Sequence, residues 1–507
     1  MPQFVFLWTD VFVQLLVLAI LAYGWHVARS PALRAVWARV GASPSAMSAG
    51  VVLSVFLVIG VLDSVHYRPL LPAMESTGAA QAGDEPPART YSPVLRSALD
   101  DLLGLTKLTS REKTYSEPLA LYQFVKESFL VDGEPVRDFP RLAHAGTQLQ
   151  DEGWHRRHIV SKIAWGALYG LAAALAAAFA LTLCHRIGRA TLGAALAAWW
   201  CGESGVPWRA MWLTFGALAL LAGMGLSLAT DYHVLGTDRT GVDVLWQCLK
   251  SIRTALVIGT LTTCAMIPPA LLFGISAGYF KGWVDDVIQY VYTTLTSIPG
   301  VLLIAACVLM MQVYIDTHPE LFDTMASRAD LRLFMLCLIL GLTGWAGLCR
   351  LLRAETLKLR ELEYVQAARA FGVGHWRIMA RHVLPNVMHI VLITLVLEFS
   401  SLVLYEAVLS YLGIGVDPST PSFGTMIDAA RLEMSRDPMI WWNLLAAFVF
   451  LLVLVLSANI FADGVRDAFD PRSRRFKPTR AVQLALAGLR GSRSSPASGS
   501  SNKEAAR

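Results

Sequence analysis

Long apolar segments recur along this chain, and polar loops separate them. Each segment reaches the length of about 20 residues that a helix needs to cross a bilayer. The nine segments lie near residues 5–25, 48–66, 159–183, 208–230, 253–277, 288–312, 331–351, 389–413 and 440–463. The pattern predicts an all-α polytopic membrane protein with about nine transmembrane helices. A shorter apolar stretch, residues 191–200, cannot span and is typical of a segment that lies along the membrane surface.

Basic residues gather in alternate loops between these segments. The loop at residues 26–46 holds three arginines and no acid, and the loop that begins at residue 184 and the tail beyond Arg472 are also basic. The intervening loops are richer in acids, such as Asp316 and Asp417. Because short cytoplasmic loops carry an excess of lysine and arginine, we expect the N-terminus outside and the C-terminus in the cytoplasm. The net charge of +5 therefore reflects topology and requires no nucleic-acid partner.

Composition supports a membrane protein and argues against several other classes. Hydrophobic residues make up 55% and charged residues 16% of the chain, whereas about a quarter of a soluble domain is charged. No basic region precedes the first apolar segment, so we expect a retained span and no cleaved signal. The seven cysteines are scattered singly, which predicts neither a disulfide framework nor a cysteine metal site. His155 and His158 are interpreted as part of a basic surface patch, so no metal site is expected.

The motifs divide the chain into modules. Residues 1–230 contain four spans and an outer loop at about 67–157, and residues 231–475 contain five spans and every motif that can be interpreted. Residues 476–507 form a basic tail that we expect to be disordered and cytoplasmic. In the outer loop, a stretch rich in Pro, Gly and Ala from Pro69 to Pro87 is typical of an extended or disordered chain. The apolar spacing from Ser92 to Glu127 predicts a small helical subdomain.

One polar segment between two spans has a distinctive pattern. Its sequence, from Glu363 to Asn386, is EYVQAARAFGVGHWRIMARHVLPN. Good helix formers up to Phe371 predict a helix, Gly372 can end it in the left-handed conformation, and Pro385 is expected to break a second short helix before the next span. Small alanines allow close backbone approach, so the segment could dock on a cytoplasmic partner. The alternative is an ordinary amphipathic loop whose alanines only reflect helix propensity.

The spacing of this segment resembles the coupling loop, or EAA loop, of the membrane subunits of bacterial ABC importers. The residues that carry the match are Gln366, Ala367, Ala368, Gly372, His382, Leu384 and Pro385. The family has Glu where this chain has Gln366, and Ile where it has His382. Other fragments in the family's order are LGTDRTGVDV from Leu235, GYFKGWVDD from Gly278, SIPGVLLIA from Ser297, LSYLGIG from Leu409, PSFGTMI from Pro421 and NIFADGVRDAFDPR from Asn459. The chain is most similar to C-type permeases of the dipeptide, oligopeptide and nickel class.

The resemblance implies a type I importer permease core with an additional N-terminal helical module. It implies a homologous second permease subunit, two cytoplasmic ABC ATPase subunits and a periplasmic solute-binding protein as partners in the inner membrane. The solutes would be peptides or peptide-like, and ATP would bind only to the ATPases, since this chain has no G-x-x-x-x-G-K-[ST] segment. His-Glu-x-x-His is absent, and no catalysis and no cofactor of its own are expected. Three extra spans and the outer loop depart from the family.

Outside the coupling loop, seven residues are candidates for a functional role. Gly236, Asp238, Gly241 and Asp243 form an outer-face motif, which we interpret as a capped turn that opens a helix near Asp243 in preference to a solute contact. Pro299 is expected to kink a span, either to shape a pathway or to improve packing. Glu398 and Glu406 lie within one span, where a carboxylate normally faces a cavity or a partner. We favour a hydrogen bond to a neighbouring helix for Glu406 and leave Glu398 open.

Two other classes of function compete with a permease. A membrane enzyme acting on envelope substrates would need clustered catalytic groups, which the sequence lacks. A sensor or scaffold with a degenerate permease core has limited support from Gln366 and Val242, each of which replaces a charged residue of the family. We expect residues 1–230 to be accessory, outside the translocation path, and to contact the binding protein or another envelope partner.

Overall fold

A computed structural model describes residues 3–70, 91–92, 94–131, 134–147, 152–185, 206–321 and 324–469. Most of these residues are helical. The helices are α1 (Trp8–Arg29), α2 (Pro31–Ala42), α3 (Pro44–Asp63), α4 (Ala98–Leu103), α5 (His155–His185), α6 (Trp208–Ala229), α7 (Val244–Phe280), α8 (Trp283–Ser297), α9 (Gly300–Thr317), α10 (Met325–Gly344), α11 (Ala346–Arg360), α12 (Glu363–Ala370), α13 (His375–Ile378), α14 (Leu384–Tyr411), α15 (Phe423–Glu433) and α16 (Trp442–Phe469). The segment 191–200 and the tail 476–507 lie outside the described residues.

Eight helices of the described ranges are long and apolar enough to cross a membrane. The pair α10 and α11, bent by 40° at their junction, would be a ninth as one broken span. The predicted all-α polytopic architecture with about nine spans is confirmed. Short polar side chains set several helix starts, because they accept the first free amides. Asp243 caps α7, and Ser97, Thr324 and Ser422 form capping boxes at α4, α10 and α15.

Short strands occur only in the outer loop and at the N-terminus, among the residues described. They are β1 (Gln3–Val5), β2 (His66–Arg68), β3 (Arg96–Ser97), β4 (Glu127–Val131) and β5 (Glu134–Asp138). The first three form an antiparallel sheet in the order β1-β2-β3, with Gln3 opposite Arg68, and β4 and β5 form a hairpin. The prediction of a helical subdomain at 92–127 is wrong except for α4 and a 3₁₀ turn at Lys107–Thr109. Pro118 and the positive φ of Leu119 are incompatible with helix there. Residues 71–90, most of the stretch expected to be extended or disordered, are outside the described ranges.

The predicted span at 288–312 is two helices. The amphipathic α8 ends at Ser297, and α9 begins at Gly300. Pro299 therefore separates two helices and does not kink one, contrary to the prediction. The physical reason is local: the residue before a proline disfavours the helical conformation, and Ile298 is extended. Proline is well tolerated at a helix start, where its missing amide costs nothing.

Helix α7 is the centre of the fold. Its outer part packs with α3, α15 and α16 around Cys248, Ile252 and Phe423. Its middle packs with α9 and α10, and its inner part packs with α11 and the segment that follows. A Cβ atom at Gly278 would lie 2.8 Å from the carbonyl oxygen of Arg353, so the glycine allows α7 and α11 to approach closely.

Contacts of the N-terminal helices cross the predicted boundary at residue 230. Helix α3 packs on the core: Phe56 is buried beside Ile252, and a Cβ atom at Gly464 of α16 would lie 2.5 Å from Ala46. Helix α6 instead pairs with α5, where Gly166 and Gly223 bring the two backbones together. Helix α3 is thus part of the packed core. The division into 1–230, 231–475 and 476–507 stays a prediction.

Candidate functional site

The polar segment between α11 and α14 forms two short helices joined at Gly372. We call residues 361–383 the inner segment. Gly372 has a φ of +74° and ends α12 in the left-handed region, as predicted. The amide of Val373 donates to the carbonyl oxygen of Ala368 across this turn. A Cβ atom at Gly372 would meet no heavy atom within 4 Å, so one side of the turn is open.

The prediction that Pro385 breaks the second helix is wrong. A π-helical turn, Met379–Val383, follows α13 and leads directly into α14. Helix α14 has Pro385 in its first turn and continues to Tyr411. Proline is tolerated in a first turn, and a π-helical turn changes the hydrogen-bond pattern just before it. Residues 375–411 consequently form one continuous helical segment that links the inner segment to a span.

Buried apolar side chains fix the inner segment to the ends of α7 and α11. Val365, Ile378 and Val383 are buried in a cluster with Leu352 and Tyr279. Because these side chains are fully packed, the segment should move together with the helices that it contacts.

Polar contacts reinforce this attachment. The Tyr279 hydroxyl lies 3.0 Å from Nδ1 of His375, and Arg360 donates to the Tyr279 carbonyl oxygen at 2.8 Å. Lys281 forms an ion pair with Glu361 at 2.9 Å. On the adjoining helices, Arg353 of α11 donates to both carboxylate oxygens of Asp285 of α8, at 2.5 and 2.7 Å. A bidentate pair of this kind fixes the relative orientation of α8 and α11.

The other side of the inner segment exposes large apolar side chains. Phe371 is 87% exposed, Trp376 67% and Tyr364 44%. Arg369 and Arg377 are exposed on the same segment. Aromatic and arginine side chains gathered on an exposed surface are typical of a protein interface. The geometry therefore favours a docking surface over an ordinary loop.

The residues that the resemblance marks fall on both sides of the inner segment. Gln366 and Ala367 are exposed, and the Gln366 amide donates to the carbonyl oxygen of Glu361 at 3.2 Å. Ala368 and Leu384 pack against the buried cluster, and the His382 ring lies 6.1 Å from the Tyr364 ring. The roles of these residues stay predictions.

At the opposite end of α7, the outer-face motif is a capped turn, as the sequence predicts. Asp238 accepts hydrogen bonds from the amides of Thr240 and Val242 at 2.8 and 2.9 Å. Asp243 accepts from the amides of Leu245 and Trp246 at 2.8 and 3.2 Å and so caps α7.

The outer loop covers this motif closely. Gly236 and Gly241 have φ values of +76° and +72°, and a Cβ atom at Gly241 would lie 1.8 Å from the carbonyl oxygen of Glu112. Thr237 donates to the Ser116 hydroxyl at 3.1 Å, and its own carbonyl oxygen accepts from the Trp442 indole at 3.1 Å. Most of the motif is therefore buried by the chain itself, and its functional role stays a prediction.

A buried hydrogen-bond network of His233 and two carboxylates, which we call the His233 network, ties the outer loop to α7. Nδ1 of His233 lies 2.7 Å from Asp243, and its Nε2 lies 3.4 Å from Glu112. Glu112 also accepts from the amides of Ala143 and His144 at 2.9 and 2.8 Å. Burial raises the pKa of Glu112, but the hydrogen bonds from His233 and these amides outweigh it and hold the pKa at about 2. Burial likewise lowers the pKa of His233, and the two carboxylates outweigh it and raise the pKa to about 9.

The two acids of α14 have different surroundings. Glu406 is fully buried and accepts hydrogen bonds from the hydroxyls of Ser410 and Ser422 at 2.6 and 3.0 Å. Because Ser422 caps α15, this carboxylate holds α15 against α14. Glu398 is half-buried near the middle of α14 and has no hydrogen bond or ion pair to any residue that the structure describes. Glu398 therefore stays a candidate for the pathway or for contact with a partner.

The sequence missed a buried ionic cluster at the ends of five helices beside the outer loop. Arg253 of α7 donates to Asp10 of α1 at 2.5 Å and to the Thr9 hydroxyl at 2.6 Å, and it lies 3.7 Å from Asp330 of α10. Thr9 donates its hydroxyl to Asp330. Lys250 of α7 pairs with Asp63 and Asp100, each at 2.8 Å. Acids at the ends of three apolar segments, together with two cations at the start of a fourth, were the available signal.

Comparisons with known proteins identify relatives of the core. A family profile described as "Binding-protein-dependent transport system inner membrane component" matches residues 270–475. An oligopeptide transport system permease protein of Mycobacterium tuberculosis is 34% identical over 245 residues, which are 48% of this chain and 78% of that protein. A di/tripeptide transport system permease protein of Pseudomonas aeruginosa is 33% identical over 47% of this chain and 72% of its own length. A glutathione transport system permease protein of Pectobacterium atrosepticum is 30% identical, with 47% and 73% covered.

Proposed function

The chain belongs to the family of binding-protein-dependent transport system inner membrane components, and from this premise we propose that it is the permease subunit of an ATP-driven importer for peptides or peptide-like solutes. The names of its relatives support peptides as the class of solute. The observation that carries the proposal is the inner segment, which is packed against α7 and α11 on one side and exposes Phe371 and Trp376 on the other.

The mechanism follows from this two-sided construction. The exposed aromatic side chains would insert into a cleft on a cytoplasmic ATPase subunit. When the two ATPases close on ATP, they would push the inner segment, and its buried contacts would transmit the displacement to α7 and α11. The continuous helix from His375 into α14 offers a second stiff connection. Such a rigid-body motion would alternate the access of a central pathway, without covalent chemistry in this chain.

The proposed partners are those expected for a permease of this family. A pathway between two permeases would place a homologous second subunit beside this one, with two ATPases below and a periplasmic solute-binding protein above. ATP would bind to the ATPases, and this chain would need no cofactor. We propose that the N-terminus is periplasmic and the C-terminus cytoplasmic. A topology reporter fused after Asp132 should indicate a periplasmic location, and one fused after Arg475 should indicate a cytoplasmic location. The same location for both fusions would contradict nine spans.

Transport by the purified complex tests the proposal directly. This chain, its partner permease and the ATPases would be reconstituted in vesicles with the binding protein and a labelled peptide. Uptake should require ATP, the binding protein and this chain, and a panel of dipeptides, longer peptides and nickel complexes would define the solute. ATP hydrolysis without uptake of any solute of the panel would contradict a permease.

That negative result would favour the second candidate, a sensor or scaffold with a degenerate permease core. The observation that supports it is the outer loop, which encloses the outer-face motif through Glu112 and Ser116. A sensor should respond to a ligand of the outer loop with a change in ATPase activity while no solute crosses the membrane.

A further inference from the structure

An open cleft lies between the outer loop and the connection that leads into α16. It has a volume of about 560 Å³. One wall comes from the outer loop and the other from residues 436–440, between α15 and α16. The lining residues that matter for its chemistry are Phe124, Lys126, Phe139, Arg436, Asp437 and Ile440. Because the outer loop precedes residue 270, where the family match begins, one wall is specific to the additional module.

The floor of the cleft is firmly attached to the core. Phe124 packs edge-to-face on Trp442, the first residue of α16, with ring centroids 5.1 Å apart. Tyr115 donates its hydroxyl to Glu433 at 3.2 Å, and Glu433 also accepts from Asn443 at 3.1 Å. The outer loop, α15 and α16 thus hold the cleft in a fixed shape, which lowers the entropy cost of binding.

Two cations border the cleft, and neither is in ion-pair contact with a carboxylate of the described residues. Lys126 lies 5.1 Å from the centroid of the Phe139 ring, and the Arg436 guanidinium lies 5.4 Å from the centroid of the Tyr115 ring. One acid, Asp437, lines the cleft, and a second, the buried Glu433, interacts electrostatically with Arg436 from behind the lining, so positive charge is in excess among the lining residues alone. Exposed apolar surface on Phe139 and Val125 surrounds these charges.

We propose that this cleft receives an acidic loop of the solute-binding protein, an assignment that rests on the proposed function. A carboxylate of the partner would pair with Lys126 and Arg436, while an apolar neighbour would pack on Phe124 and Ile440. Arginine and aromatic side chains in one preformed cleft are typical of the residues that dominate protein–protein affinity. The cleft is open and bounded by exposed loops, which suits a protein surface better than an enclosed small solute. Docking would also contact the start of α16, an element of the core.

The double charge reversal Lys126→Glu with Arg436→Glu tests this docking. In reconstituted vesicles, uptake would be measured against the concentration of peptide-loaded binding protein. The concentration that gives half-maximal uptake should rise about tenfold or more, while the maximal rate stays within about twofold of the wild type. Rising salt should raise the concentration of binding protein that gives half-maximal uptake in the wild type, and it should have little effect on that concentration in the variant. The matched control is Arg96→Glu, an exposed reversal on β3 that does not line the cleft.

The outcomes separate this inference from the proposed function. Unchanged half-saturation in a variant that assembles, or a lower maximal rate alone, overturns the docking site while transport stands. Absence of uptake by the wild type overturns both. If the double reversal does not assemble with its partners, judged by gel filtration and basal ATP hydrolysis, the milder pair Lys126→Gln and Arg436→Gln decides. That pair should raise half-saturation in the same direction by a smaller factor, and no rise overturns the proposal.

Discussion

Two glycines at opposite ends of the core have nearly the same backbone conformation and different surroundings. Gly241 in the outer-face motif has a φ of +72°, and Gly372 in the inner segment has a φ of +74°. A side chain at Gly241 would collide with the Glu112 backbone at 1.8 Å, whereas a side chain at Gly372 would meet nothing within 4 Å. The same left-handed glycine conformation therefore occurs in two different settings. The outer motif is enclosed by its own chain, and the inner segment has an open side, where we propose that a partner docks.

The side chains around the two glycines repeat this difference. At the outer motif, Asp238 and Asp243 have their hydrogen bonds satisfied by nearby amides. At the inner segment, Phe371 and Trp376 are exposed although their neighbours Val365 and Ile378 are fully packed. We propose that the enclosed motif maintains the fold and that the exposed apolar side of the inner segment serves coupling. Substitutions at the outer motif should therefore affect folding, and substitutions at the inner segment should affect transport.

The largest effect is expected at the enclosed glycine. Gly241→Ala adds a Cβ atom both against the Glu112 carbonyl oxygen and at a positive φ, where strain alone costs roughly 1–3 kcal/mol. The variant should accumulate poorly in the membrane and unfold at a lower temperature, as followed by gel filtration after heating. Gly374→Ala is the control, since Gly374 has a φ of −59° and open space around its Cβ position. Wild-type thermal stability of Gly241→Ala would contradict the enclosed motif.

The open glycine should separate transport from folding. Gly372→Val imposes a similar backbone strain of roughly 1–3 kcal/mol without a collision, so the distortion stays within the inner segment. We expect normal accumulation in the membrane and at least a tenfold loss of ATP-driven uptake, measured on the same vesicles. Gly374→Val should retain uptake. Normal uptake by Gly372→Val would remove the mechanical role of the segment.

Substitutions of the two acids of α14 should have different effects on the thermal stability of the protein and little effect on its accumulation in the membrane. Glu406→Leu leaves the hydroxyls of Ser410 and Ser422 without their acceptor, which should cost about 1–3 kcal/mol and lower the unfolding temperature. Glu398→Leu removes a carboxylate without a partner among the described residues, so stability should not fall. If Glu398 lines the pathway, this variant should still change the rate or solute preference of uptake. Equal destabilisation by both substitutions would contradict the different surroundings assigned to them.

The smallest expected effect is that of pH on the attachment of the outer loop through the His233 network. The pKa of His233 is raised from 6.5 to about 9, so its stabilisation is complete below about pH 6.5 and is lost as the pH rises through about 9. Glu112 has a lowered pKa of about 2, and its contribution is lost only as the pH falls from 4.5 towards that value. Between about pH 7.5 and 8.5 the docking of the outer loop should weaken by roughly 1 kcal/mol. Hydrogen exchange at residues 112–116 measures this, and His233→Gln should abolish the pH dependence.

Features that depend on local sequence were predictable. The spans follow from runs of apolar residues, and the left-handed Gly372 and the cap at Asp243 follow from residue type and position. The proline predictions failed because a single residue type has two uses. Pro299 and Pro385 occur at helix starts, where proline fits. The sequence pattern alone suggested that each proline interrupts a helix.

Features that depend on distant contacts could not be derived. The ionic cluster joins Asp10 to Arg253, which are 243 residues apart in sequence. The packing of α3 on the core likewise needs Phe56 to meet Ile252, and no periodicity within α3 specifies that neighbour. The strands β2 and β3 pair residues that lie far apart in sequence, such as His66 and Ser97. Long-range pairing of this kind is not encoded in any single window of residues.

Docking of the inner segment on a cytoplasmic ATPase can be measured by co-purification of the assembled transporter. The double variant Phe371→Glu with Trp376→Glu places two charges on the exposed apolar side without touching the buried anchors. We predict that the purified variant retains the partner permease and loses the ATPase subunits, whereas Phe371→Leu with Trp376→Tyr retains both. Recovery of the ATPases at the wild-type ratio with the charged variant would contradict the docking of this segment.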